Sequence, residues 1–188
     1  MDRFHFVKHI YSFITPQSLA YDRNHGAIPQ ISCAKHSIRI DGEVPNSYEV
    51  SVKQLATEFA QHEVTCVLSC AGNRRHTMLT MLREVDGIDW GDAAVMNCIW
   101  KGPRVRDVLA RAGVTHDDKL QRGKKMHACF SSYQVPCQDD SWFGGNVELE
   151  KCTDEHGEVI LGLEVSNIHA YMVMKLTLEV FVAFVPYL

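Results

Sequence analysis

The run Leu68-Ser69-Cys70-Ala71-Gly72-Asn73-Arg74-Arg75 constrains this chain more than any other stretch of it. Ahead of it, Glu63 to Ser69 alternates in polarity and is β-branched enough to read as a buried strand, so Cys70 is delivered at a strand's C-terminal end. A thiolate is a soft ligand suited to soft or high-valent metals, and cationic neighbours favour the thiolate form that ligates them. Ala71 and Gly72 leave room for a bulky group, and Gly72 can adopt φ values closed to other residues. Arg74 and Arg75 offer planar forks for phosphate, sulfite or sulfate. A second cationic, hydrogen-bonding cluster, Tyr21-Asp22-Arg23-Asn24-His25-Gly26, is able to converge with the first on one anion.

Length and hydrophobic content, 188 residues and 46%, suffice for one globular domain with a core of its own. The formal charge of -4 arises from 23 acidic and 19 basic residues spread along the chain, without the basic stripe that grips a nucleic-acid backbone. An odd count of seven cysteines with no paired spacing points to free thiols in a reducing compartment. Met1 to Pro16 is interrupted by Asp2, Arg3, His5, Lys8 and His9, which does not suit a secretory leader. The expected location is cytoplasmic, with the mitochondrial intermembrane space as the alternative.

Ser37 to Asp41 reads as a strand closed at Asp41-Gly42, and Ser51 as the N-cap of a helix whose Val52, Leu55, Ala56 and Phe59 share one face. Trp100-Lys101-Gly102-Pro103 reads as a turn into a second helix, with Val105, Val108, Leu109 and Ala112 on one side and Gly113 as its stop. His127 to Ser131 and Val159 to Val165 read as further strands. Strands and helices mix without βαβ alternation, so the expected class is α+β.

With these segments in order, the chain resembles a known family. The run Cys70 to Arg75 (CAGNRR), preceded by Arg23 to Gly26 (RNHG) and followed by Gly87-Ile88-Asp89-Trp90 and by Trp100 to Leu109, is similar to the molybdenum domain of sulfite oxidases and assimilatory nitrate reductases. The likeness runs from about Thr15 to Val165, which implies an N-terminal extension over 1–14, a partial molybdopterin-binding domain with a mixed sheet over 15–166, and an apolar tail over 167–188. It implies a molybdenum cofactor, with Cys70 as the metal's protein ligand. It further implies that Tyr21, Arg23, Asn24 and His25 contact the cofactor, and that Arg23, Arg75 and Trp90 form the substrate pocket. The implied reaction is oxygen-atom transfer that turns sulfite into sulfate, the electrons leaving to a separate acceptor or to oxygen. A nitrate-reductase-type domain and a catalytically dead truncated fragment stay open as alternatives.

Some segments depart from the family pattern. Past Val165 the family continues through Met-Asn-Gly and His-Gly-Phe-Pro-x-Arg to a β-sandwich dimerisation domain, whereas residues 167–188 here run otherwise, as an altered reading frame or truncated gene would produce. The pocket tyrosine expected near Trp142 to Gly145 is Phe143, and no haem-binding His-Pro-Gly-Gly or flavin domain is read. Cys33, Cys66, Cys98, Cys129, Cys137 and Cys152 lack the setting of Cys70 and read as structural. Ten histidines without His-x-x-x-His spacing or a Cys-x-x-Cys partner do not make a zinc site. His62, His76, His116 and His156 read as solvated, Arg104, Arg106 and Arg111 as a charged helix face, and Trp100 and Trp142 as packing residues. In the tail, Lys175 and Glu179 tell against a membrane anchor, and alternation through Phe184 suits a strand.

Overall fold

Alternation sets the first strand. In β1 (Ser37–Gly42) Ile38 and Ile40 are buried while Arg39 is exposed, and Gly42 leaves the strand with φ 92°, a value that only glycine adopts freely. The computed structural model describes residues 12–21, 31–32, 34–82, 91–92, 94–116, 125–133, 136, 141–166, 168–169 and 179–184. Its packing divides the chain into two units, one of Met1–Asn24 with Thr65–Trp100 and the other of His25–Val64 with Lys101–Leu188.

In the second unit β1 pairs antiparallel with β2 (Tyr48–Ser51), and the chain turns directly into α1 (Val52–Thr57). The expected cap is there as a full capping box. The Ser51 hydroxyl accepts from the Gln54 amide at 3.2 Å, and the Gln54 side chain accepts from the Ser51 amide at 3.1 Å. Replacing Ser51 with Ala is expected to cost about 1 kcal/mol, read as a lower urea midpoint with an unchanged slope.

The second expected helix is α3 (Val105–Arg111); Val105, Val108, Leu109 and Ala112 are buried, and Gly113 ends it with φ 89°. The strand expected over His127 to Ser131 is β5 (Met126–Ser132), followed by β6 (Phe143–Glu148) and α4 (Leu149–Thr153). A five-stranded sheet forms in the order β2-β1-β9-β5-β6, where β9 (Glu179–Phe184) comes from the apolar tail. This strand lies parallel to β1, with Ile40 opposite Val180, and antiparallel to β5, with Ala128 opposite Val182. Leu55 of α1, Val108 and Leu109 of α3 and Leu149 of α4 join Ile40 and Ala128 in one apolar core.

Three of the expectations are corrected. Trp100 to Pro103 is not a turn but the end of β4 (Val95–Pro103). The proline sits at the strand's last position, where only its carbonyl is needed: it accepts from the Leu161 amide at 2.9 Å, as Lys101 does from Leu163 at 2.8 Å. Val159 to Val165 is not one strand. Ile160 makes a single bridge to Arg104, and only Glu164–Val165 forms a strand, β7, which pairs with β8 (Ile168–His169). The strand at Glu63 to Ser69 is present as β3 (Gln61–Ser69), but it is not buried: Val67 is 62% exposed. It stands at one end of the four-stranded order β3-β4-β7-β8, and β-branched residues report a preference for extended backbone, not burial.

Arg106 and Arg111, two of the three arginines expected on a charged face, have specific contacts. Arg111 lies 3.9 Å over the Phe59 ring and pairs with Glu58 at 2.8 Å, and Arg106 donates to the Glu155 carbonyl at 2.7 Å. Trp142, expected to pack, is 44% exposed and stacks on Tyr133 with ring centroids 6.0 Å apart. Among the described residues no helix is long and apolar enough to cross a membrane.

Candidate functional site

In the first unit the scaffold is β4, whose Met96, Cys98 and Trp100 alternate as buried residues, as expected of a strand covered on one face. The Trp100 indole donates to the Cys66 carbonyl of β3 at 3.3 Å. On β4, Asn97 holds the N-terminal segment: its amide donates to the Thr15 hydroxyl at 2.9 Å, its side chain donates to the Phe13 carbonyl at 2.7 Å, and its carbonyl accepts from the Thr15 amide at 2.8 Å.

Cys70 is half-buried directly after β3, where the sequence expects it. Its amide donates to the Ala94 carbonyl at 2.9 Å, and its carbonyl accepts from the Asn73 amide at 2.9 Å, closing a turn. The left-handed freedom that the sequence assigns to Gly72 falls on Arg74 instead, with φ 64°. Arg74 holds that conformation by donating its amide to the Gly91 carbonyl at 3.3 Å, and its own carbonyl accepts from the Met78 amide at 3.0 Å. Helix α2 (Arg75–Leu82) starts one residue later, so Arg75 occupies its first turn, half-buried.

Tyr21 belongs to the same unit. Burial pushes its hydroxyl up to about 12, and negative charge at Cys70 and Cys98 adds to the effect. Tyr21 and Cys70 are therefore within electrostatic reach of each other, and the phenol keeps its proton, hence its capacity to donate, across the neutral range. Cys98, read as structural from the sequence, is buried within the same reach of Tyr21. Of the other expected site residues, Arg23, Asn24, His25 and Trp90 lie outside the described residues. Phe143, expected to replace a pocket tyrosine, begins β6 in the other unit and is 54% exposed. The contribution of Asn73 was missed by the sequence reading, because its pairing with Ala94 is a long-range one. The amide in the CAGNRR run was the signal present.

The donor set bears on what this turn can hold. Among the described residues no three His, Cys, Asp or Glu side chains come together to bind an ion. A bare metal ion held only by protein ligands does not fit such a set. A metal that brings most of its ligands on an organic chelate does fit, since a half-buried thiol with cationic side chains in the same turn can supply one more sulfur and meet anionic groups.

The likeness to known proteins agrees with this chemistry. Residues 25–168 match the family described as the oxidoreductase molybdopterin binding domain. The chain is 36% identical over 152 residues to an NADH nitrate reductase of Hordeum vulgare and 32% identical over 155 residues to the sulfite oxidase of Gallus gallus, alignments that cover 80% and 82% of it. It spans 16% of the length of that nitrate reductase and 32% of that sulfite oxidase. Among solved structures, the sulfane dehydrogenase SoxCD of Paracoccus pantotrophus shares the fold with a TM-score of 0.64 at 19% identity, over 93% of this chain and 44% of that one. A cysteine-bearing turn suited to a chelated metal, a mixed α+β fold and a match over most of the chain lead to one conclusion: this protein belongs to the oxidoreductase molybdopterin-binding family, whose cofactor carries molybdenum.

Proposed function

We propose that this chain is the molybdenum-binding part of an oxidoreductase that oxidises sulfite to sulfate, with Cys70 as the protein's ligand to the metal. The observation that carries the proposal is the Cys70 turn: a half-buried thiol, fixed by its own amide and carbonyl, one helical start away from Arg75. When bound, the cofactor supplies two-electron redox chemistry and transfer of an oxygen atom. The protein's part is to bind and orient. Cys70 would supply its sulfur to the metal. Arg75 would bind the substrate oxyanion, and the protonated Tyr21 hydroxyl would be available to donate a hydrogen bond near Cys70. Following the family pattern, Arg23 and Trp90 complete the pocket, and Asn24 and His25 contact the cofactor. A separate acceptor or oxygen takes the electrons.

Arg74 and Arg75, adjacent in sequence beside Cys70, suit an oxyanion substrate, and the 32% identity to a sulfite oxidase supports sulfite. Reduction of nitrate is the second reading, favoured by the 36% identity to a nitrate reductase. Two assays on the molybdenum-loaded chain separate them: sulfite with an artificial electron acceptor, and nitrate with a reduced dye. Turnover in the first and none in the second is the expected outcome. The reverse pattern replaces sulfite by nitrate, and turnover in neither rejects both.

A further inference from the structure

We infer that Asn73 is a positioning residue for the Cys70 sulfur; the inference rests on the proposed role of Cys70 as metal ligand. Three hydrogen bonds close a ring through Cys70, Asn73 and Ala94. The Cys70 amide donates to the Ala94 carbonyl at 2.9 Å, the Asn73 amide donates to the Cys70 carbonyl at 2.9 Å, and the Ala94 amide donates to Asn73 Oδ1 at 3.2 Å. Both main-chain polar groups of Cys70 are thereby held, so the direction of its Cα–Cβ bond is set, and Sγ is left only its staggered rotamers. The anchor is firm because Ala94 is 1% exposed and immediately precedes β4.

Two of the three bonds are main chain to main chain and form whatever the side chains are. The third depends on an acceptor oxygen at residue 73. Without it, the buried Ala94 amide is left unpaired, a costly state that the turn relieves by moving. That movement is favoured by the next residue, since Arg74 sits in the left-handed region (φ 64°), which a non-glycine residue keeps only where its surroundings hold it. Asn73 therefore acts on chemistry through Cys70, by fixing where its sulfur points.

Asp offers the same acceptor as Asn, whereas Leu has similar bulk and none. The full-length variants Asn73→Leu and Asn73→Asp are compared with wild type and Cys70→Ser in two measurements. In cofactor-free protein, iodoacetamide labelling of Cys70 is followed by peptide mapping, with exposed Cys66 as internal reference. In loaded protein, molybdenum per chain and the electron paramagnetic resonance signal of the one-electron-reduced metal are recorded. The expected result is several-fold faster Cys70 labelling and shifted g values in Asn73→Leu, unchanged Cys66 labelling, and no acceleration of Cys70 labelling in Asn73→Asp, whose added charge disfavours the thiolate. Wild-type labelling and g values in Asn73→Leu overturn the inference, and so does an Asn73→Asp variant as perturbed as Asn73→Leu. If the leucine variant does not fold, Asn73→Ser, whose hydroxyl is too short to reach the Ala94 amide, is read by the same criteria. A Cys70→Ser variant whose metal gives the wild-type electron paramagnetic resonance signal instead overturns the ligand assignment itself, so the two failures are distinct.

Discussion

Replacing Cys70 with Ser is expected to remove one sulfur from the metal's coordination and to lower turnover by about 100-fold or more, while the fold stays intact. Changes in groups that merely support a metal ligand cost roughly 10- to 100-fold in metal affinity or activity, and loss of the ligand costs at least as much. The effect is chemical, because serine is nearly the size of cysteine, but its hydroxyl is a hard donor that keeps its proton where a thiolate forms. The turn survives the change, since Cys70 is held by its amide and carbonyl, at 2.9 Å to Ala94 and 2.9 Å from Asn73, and serine has both groups. Stability is therefore expected to shift by about 1 kcal/mol or less in urea titration. An unfolded variant, or one that keeps metal and turnover, contradicts this account.

The second large effect is in the other unit. Gly102→Ala is expected to destabilise the protein by about 3 kcal/mol, the upper part of the ordinary range for overpacking. A Cβ at residue 102 would run into the Leu161 carbonyl, and the main chain cannot swing aside as a flexible side chain can. Nor can the two segments separate at little cost: the Leu163 amide donates to Lys101 at 2.8 Å and the Leu161 amide to Pro103 at 2.9 Å, clamping the chain on both sides of the glycine. Against a total stability of roughly 5 to 15 kcal/mol, a loss of this size moves the urea midpoint far down. Gly102→Ser should behave alike, and a midpoint unchanged by either substitution would show that the packing there is looser than described.

What the sequence could and could not disclose follows the range of the interactions involved. The Ser51 cap and the Gly113 stop are local devices, written within a few residues, and both stand where the sequence puts them. The identity of the Cys70 turn was equally legible, because its residue types state their chemistry side by side. The continuation of β4 through Gly102 and Pro103 was not, since those residues ordinarily signal a turn and only pairing with Leu161 and Leu163 makes them strand. Nor was the exposure of β3, which depends on its place at the end of a sheet. Alternation in the tail suggested a strand, but its position between β1 and β5 is a matter of distant pairing. At the site itself, the left-handed Arg74 and the bond from Ala94 to Asn73 come from the same kind of long-range constraint.

The central claim is that the protein contributes a sulfur to the metal through Cys70, and X-ray absorption at the molybdenum edge reads it most directly. Fitted sulfur coordination in the loaded wild type should exceed that of the free cofactor by one sulfur. Any residual metal in Cys70→Ser should lack that scatterer. Equal sulfur coordination in wild type and variant, with metal bound in both, would contradict the assignment.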